Sequence, residues 1–411
     1  MSKRIDERIP KEIGIGVLPS HAAVKSPWEK LVSYRDAAHY CQRYTNVFAA
    51  AMMQAYRIMV PDYVERSKYI CTNAYNRLDY TMDKLGYAAY MMEDLGVHPF
   101  LCGQFSGALI GDSGDETLLM CGRVCDFGTY RAEKELDVCY WDIVGSELCR
   151  STTQSLQACA DAFAKRRHAG PSMEYHMVEA KGCGDRHCRI VAESREKYPM
   201  PPHEQWECFG PVATADQIKF TAEEYTVGES MVLRSECDHH FVNGTCQESD
   251  YTSLYPAVAA GGALAYIMPT IDDIVAAGVV TDEMANHIIK CVCEASGKAA
   301  FGEDFAKEGL RTWLGAPHDV DDGRLMGAYL EMYLQCMRVP YEIEAFNKDE
   351  VIYTLDPAAL SCNMPRSIVG YVSLWYGMTK TLINPMWSLW EEDSPEGKLR
   401  IKIAKKIDKF C

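Results

Sequence analysis

The sequence has little positive charge for its size. Its 42 lysine and arginine residues are outnumbered by 58 aspartate and glutamate residues, which gives a formal net charge of −16. Nucleic acids and anionic membranes bind proteins through basic surfaces, so this balance argues against both as main partners. We therefore expect a small-molecule substrate or a protein partner, with no nucleic acid and no membrane.

Long apolar runs are also missing. The longest, from Ala257 to Met268, is too short to span a bilayer and contains two glycines. The first residues, MSKRIDER, are charged and lack the apolar core of a secretory signal. These features predict a cytoplasmic protein whose 18 cysteines are mostly reduced thiols.

Several common catalytic motifs do not occur. The chain has no Walker loop, no GxGxxG after a strand and no GxSxG elbow, which weakens nucleotide-dependent and serine-hydrolase interpretations. No cysteine pair has the CxxC spacing of a structural zinc site or of an iron–sulfur run.

The most informative feature present is a pair of cysteines around a Gly-Asp turn. Residues 176–191 read HMVEAKGCGDRHCRIV, so Cys183 and Cys188 are predicted at the tip of a hairpin. Thiols held by a tight turn can ligate a soft metal, form a redox couple or supply a nucleophile, and each role needs further groups. The alternative is a plain turn with two cysteines that pack as small hydrophobes.

The sequence CDHH at 237–240 is the best source of further groups. Neighbouring strand residues face opposite ways, so only one of the two histidines is expected at any one site. Asp238 or a histidine that is not a metal ligand would be the general base. The predicted metal ligands are Cys183, Cys188, Cys237 and His239. The predicted catalytic residues are Cys183, Asp238 and His240. The alternative places the 237–240 cluster on a plain surface.

Two further sets of residues have open roles. Most other cysteines are expected in the core, but Cys149 and Cys159, at the start and inside of one predicted helix, could reach the 183–188 turn. Trp375, Trp387 and Trp390 are expected to pack in a core, with a pocket lining as the alternative.

The order of predicted elements divides the chain into two weakly similar halves, 1–205 and 206–411, joined at the proline-rich segment 198–203. Each half has a helical region followed by two antiparallel hairpins around a helix, which predicts an α+β fold. In the first half strands are expected near 116–125 and 134–142, a helix near 146–165 and a last hairpin at 173–194. In the second half strands are expected near 340–346 and 349–355, a helix near 364–381 and a last hairpin at 385–405. In this alignment Arg189-Ile190 matches Arg400-Ile401. The second half, a degenerate repeat without thiols at its matching turn, would be a scaffold or a dimerisation half.

The motif GDRHCRI at 184–190, together with this order of elements, resembles the L-2-amino-thiazoline-4-carboxylic acid hydrolase-like family. More distantly it resembles the vinyl-reductase-type (V4R) ligand-binding domains. The shared signature is Gly-Asp-x-x-Cys before an apolar strand, and the resemblance covers about residues 60–200. In V4R sensors a glutamate and cysteines near this turn bind zinc, so the resemblance implies that role for Glu179, Cys183 and Cys188.

Together these observations predict a hydrolase that acts on a carbon–nitrogen bond, of cyclic amidine or amide type, in a small polar molecule. Zinc or a cysteine would assist the reaction. Two alternatives stay open. One is a non-catalytic sensor or binding protein with a structural zinc site, and the other is a thiol or iron–sulfur redox enzyme. A homodimer is one expected assembly.

Overall fold

The computed structural model describes residues 23–76, 123–127, 131–136, 145–147, 149, 174–193, 267–300, 307–337, 339–361, 364–394 and 397–406. Over these residues the chain has the predicted α+β fold. The helices are α1 (Tyr34–Met59), α2 (Tyr63–Asn76), α3 (Met268–Ala276), α4 (Asp282–Ala300), α5 (Lys307–Leu314), α6 (Arg324–Met337), α7 (Pro357–Ser361) and α8 (Pro365–Leu382). The strands are β1 (Ala23–Lys25), β2 (Leu31–Ser33), β3 (Arg123–Phe127), β4 (Arg131–Leu136), β5 (Glu174–Glu179), β6 (Cys188–Glu193), β7 (Tyr341–Phe346), β8 (Glu350–Leu355), β9 (Trp387–Glu392) and β10 (Leu399–Lys405).

The chain divides into two compact units. The first comprises Met1–Ser20, Val60–Tyr251 and Ala265–Val279, and the second comprises His21–Met59, Thr252–Leu264 and Val280–Cys411. Helices α2 and α3 and strands β3 to β6 therefore belong to the first unit, and the remaining elements belong to the second. The predicted domain boundary near residue 205 lies outside the described residues.

The first unit contains an antiparallel sheet with the strand order β3-β4-β6-β5. Its β5–β6 hairpin is the predicted Cys-bearing hairpin. The β3–β4 pairing shifts register between Val124 and Asp126, which marks a bulge. Arg189 on β6 lies opposite Glu179 on β5.

The second unit contains a sheet with the matching order β7-β8-β10-β9. Its first pair also shifts register, between Ile343 and Ala345. Arg400 on β10 lies opposite Glu392 on β9, the position that Arg189 holds in the other sheet. Arg189 and Arg400, which the sequence alignment matches, thus occupy equivalent positions in the two sheets. The duplication of the halves itself stays a prediction.

One face of the second sheet is buried under helices. Alternate residues of β8 and β10 are almost inaccessible, among them Val351, Tyr353, Ile401 and Ile403, as expected for a sheet with one face in a core. Helix α8 covers this core and lies against α4 at two glycines. A Cβ on Gly297 would collide with the carbonyl oxygen of Leu374, and one on Gly377 with that of Glu294.

Of the tryptophans Trp375, Trp387 and Trp390, the first two belong to the core of the second unit. Trp375 is 0% exposed and Trp387 is 1% exposed, which agrees with their expected packing role. Phe48 of α1 stacks on Tyr371 of α8 with 4.2 Å between ring centroids. Trp390, by contrast, is only half-buried. Among the described helices, none combines the length and the apolar character needed to cross a membrane.

Candidate thiol site

The tip of the β5–β6 hairpin is a tight turn that the Gly-Asp pair closes. A short 3-10 helix, Lys181–Cys183, follows β5, and Gly184 then adopts φ 98°, a left-handed conformation that favours glycine. The Asp185 carboxylate accepts a hydrogen bond from the Ala180 N–H at 2.8 Å, and the Asp185 N–H donates to the Ala180 carbonyl at 3.2 Å. Gly184 and Asp185 of the motif therefore stabilise the turn, Gly184 through its left-handed conformation and Asp185 through its hydrogen bonds.

Cys183 and Cys188 lie on the two sides of this turn, in different surroundings. Cys183 ends the 3-10 helix and is exposed, whereas Cys188 begins β6 and is 4% exposed. The Lys181 N–H lies 3.3 Å from the Cys188 sulfur and donates to it. Only the Cys183 thiol is therefore open to solvent.

A third cysteine joins them. The Sγ atom of Cys149 lies 2.8 Å from the position that a Cβ atom on Gly182 would take, and its residue is 7% exposed. The pKa of the Cys149 thiol is raised to about 11, mainly by burial. The nearby Cys188 and Cys183 thiols add to this rise, and the Gly182 N–H opposes it by donating to the sulfur. We call Cys149, Cys183 and Cys188 the thiol cluster.

A buried ion pair fixes the segment that carries Cys149. The Nε atom of Arg66 on α2 donates to Glu147 at 2.7 Å, and its Nη1 atom donates to the carbonyl oxygens of Val60 and Pro61, both at 2.7 Å. Arg66 is 7% exposed. Because the carboxylate lies in solvent-poor surroundings with a charged donor, the pair holds residues 145–149 in place.

The hairpin also carries an imidazole held by a carboxylate. The Nε2 atom of His187 lies 2.6 Å from Oε2 of Glu179, and both side chains are partly exposed. Such a contact orients the ring, which suits a general base. Neither His187 nor its contact with Glu179 is marked by a motif in the sequence, and Glu179 is a candidate there only through the resemblance.

The cluster does not by itself form a closed metal site. In the described ranges, no three His, Cys, Asp or Glu side chains are arranged to hold a metal ion. The predicted ligands Cys237 and His239 and the predicted catalytic residues Asp238 and His240 lie outside those ranges. The Lys181 N–H donates to the Cys188 sulfur and the Gly182 N–H to the Cys149 sulfur, and cysteine sulfurs are ligands that a soft cation such as zinc accepts.

Comparison of the chain with protein-family models, characterised proteins and solved structures gives no match. The resemblance to the L-2-amino-thiazoline-4-carboxylic acid hydrolase-like family stays a prediction.

Proposed function

We propose that the protein is a hydrolase that acts on a carbon–nitrogen bond, of cyclic amidine or amide type, in a small polar molecule. The observation that supports this proposal is the composition of one hairpin. It carries an exposed thiol, Cys183, the oriented imidazole of His187 and the buried Cys188, with Cys149 beside it.

The thiols have different roles in this proposal. A thiol whose pKa is about 11 is protonated at neutral pH, so Cys149 is a poor nucleophile. Cys183, which is exposed, is the thiol that a substrate can reach. His187 accepts the proton of the attacking group, either water or the Cys183 thiol, and Glu179 holds the imidazole ring in its orientation for this step.

Zinc is the proposed cofactor. Cys149 becomes a candidate ligand beside the predicted set Cys183, Cys188, Cys237 and His239. A bound zinc ion would lower the pKa of a coordinated water and polarise the substrate. Three protein ligands would leave one position for water, and the exposed side of the cluster at Cys183 is where that position would meet solvent.

A non-catalytic binding protein with a structural zinc site is the second candidate. It is favoured by the burial of Cys149 and Cys188, since structural zinc sites are closed to solvent. In that case the metal would stabilise the packing of the hairpin tip against Cys149 and would take no part in a reaction.

Turnover of L-2-amino-thiazoline-4-carboxylic acid, followed by chromatography, distinguishes the two candidates. The hydrolase proposal expects turnover by the parent chain and a loss of about 100-fold or more in His187→Gln, with metal content unchanged. His176→Gln is the matched control, because His176 lies exposed on the neighbouring strand β5, and it should stay within a few-fold of the parent. A metal-loaded parent that hydrolyses neither this compound nor simple cyclic amidines would overturn the hydrolase and support the binding protein.

A further inference from the structure

The second unit contains a cavity of about 440 Å³ between β9, α8 and α4. Strand β9 contributes Leu389, Trp390 and Glu391 to its lining, and α8 contributes Tyr376. Lys290 and Lys406 also lie on the lining. This volume falls within the range of small-molecule sites.

Its aromatic walls are surrounded by ammonium groups. The Lys406 Nζ atom lies 4.5 Å from the centroid of the Trp390 ring. Lys298 and Lys380 lie over the Tyr376 ring at 5.6 Å and 5.0 Å. Four lysines therefore lie on or beside a lining that carries two glutamates, in a chain whose net charge is −16.

The acidic residues of the cavity only partly offset this charge. Glu294 lies 2.5 Å from the Lys298 ammonium, so its charge is already matched. Glu391 lies exposed on the lining, where solvent screens its charge as it screens the likewise exposed Lys290 and Lys406, which leaves two lysines against one glutamate. Lys290 and Lys406 are therefore positioned to attract an anion.

Backbone groups of an edge strand add hydrogen-bond donors. Strand β9 is the last strand of its sheet, and the Lys406 N–H donates to the Met386 carbonyl at 2.9 Å. Hydrogen-bonded pairs alternate along antiparallel strands, so the pairs that follow are Ser388 with Ala404 and Trp390 with Lys402. The N–H groups of Leu389 and Glu391, which lie between these pairs, point away from β10.

We propose that this cavity is a ligand site for a small planar anion, an aromatic or heteroaromatic carboxylate. The ring of the ligand packs against Trp390 and Tyr376, and its carboxylate is bound by the ammonium groups of Lys290 and Lys406. The proposal is independent of the thiol cluster, which belongs to the other unit. In this proposal Trp390 contacts a ligand, whereas Trp375 and Trp387 pack in the core.

Calorimetric titration of the full chain with benzoate and with benzamide tests this site. The two probes share a shape, but only benzoate carries a charge. Benzoate should bind, its affinity should fall as salt is added, and benzamide should bind at least about tenfold more weakly.

Two neighbouring lysines provide matched variants. Lys406→Gln should weaken benzoate binding about tenfold, because it removes a charged donor from the lining. Lys405→Gln should leave binding unchanged, since Lys405 lies over Trp387 at 5.8 Å and does not line the cavity. Both residues are exposed, so both variants should fold. The absence of benzoate binding to the parent chain, equal affinity for benzamide, or equal effects of the two variants would each overturn the proposal. Binding of extended peptides without binding of benzoate would overturn it as well.

Discussion

The Cys149 sulfur occupies the space beside Gly182 that a β-carbon on residue 182 would need, with 2.8 Å between the two positions. Cys149 is thereby packed against Gly182 at the tip of the hairpin. The absence of a side chain at position 182 is what allows the third thiol to approach the turn. The account of the thiol site depends on this contact.

Gly182→Ala should therefore disrupt the cluster. The added methyl group would also come within 3.0 Å of the Gly145 carbonyl carbon, so the thiol and the backbone must both move. We expect a loss of about 1–3 kcal/mol in the free energy of unfolding and a loss of bound metal. Gly309→Ala is the control, because nothing lies near its added methyl within helix α5, and alanine there should be neutral or stabilising. Equal stability and equal metal content in the two variants would contradict the proposed packing.

The stability of the metal-free protein should fall at alkaline pH. Burial raises the pKa of Cys149 from 9.0 to about 11, so the folded state favours the protonated thiol. The resulting stabilisation is fully present below the lower pKa and is lost as pH rises from about 9 to about 11. Denaturant unfolding of chelator-treated, reduced protein across this range measures the effect. In Cys149→Ala the slope should be smaller, and an unchanged slope would show that the thiol is not buried as described.

Loss of the Arg66–Glu147 ion pair should destabilise the first unit. Glu147→Gln takes a carboxylate away from a buried guanidinium, and breaking a buried pair in this way typically costs about 3–5 kcal/mol. Unfolding by urea measures this loss. Lys25→Gln breaks an exposed pair with Glu29 in the second unit and should change stability by less than about 1 kcal/mol. If Glu147→Gln were as mild as Lys25→Gln, the pair would have no part in fixing the 145–149 segment.

Chemistry should reside in the first unit. Lys398→Ala alters the exposed turn of the second sheet that matches the Cys-bearing turn, and its catalytic constants should stay within a few-fold of the parent. Cys188→Ser should abolish activity or metal binding. Steady-state kinetics and metal analysis of both variants test this expectation. A loss of activity in Lys398→Ala as large as that in Cys188→Ser would show that the second unit also carries a site.

The strands of the second half were well predicted because they alternate between apolar and polar residues and end at clear turn signals. The hairpin expected at 385–405 is formed by Trp387–Glu392 and Leu399–Lys405. Of the strand expected near 116–125 in the first half, residues 123–125 lie in Arg123–Phe127, and residues 116–122 lie outside the described residues. A local pattern identifies a strand better than it defines its ends.

The candidate site was only partly predictable. The two cysteines of the turn could be found from a local motif, since the turn itself brings their backbones together. The approach of Cys149 depends on packing between distant segments and on the missing side chain of Gly182. The contact between His187 and Glu179 depends on the path of the turn after β5. Neither relationship has a periodic signature in the sequence.

The central proposal is that Cys149, Cys183 and Cys188 contribute, together with the predicted ligands Cys237 and His239, to a site for a soft metal ion. Elemental analysis of anaerobically purified protein tests it most directly, with Cys149→Ser and Cys188→Ser beside Cys291→Ser, a change at an exposed thiol of the second unit. The account predicts about one zinc ion per chain in the parent and in Cys291→Ser, and little in the other two variants. A parent chain without zinc, iron with acid-labile sulfide in its place, or full zinc content in Cys149→Ser would contradict it.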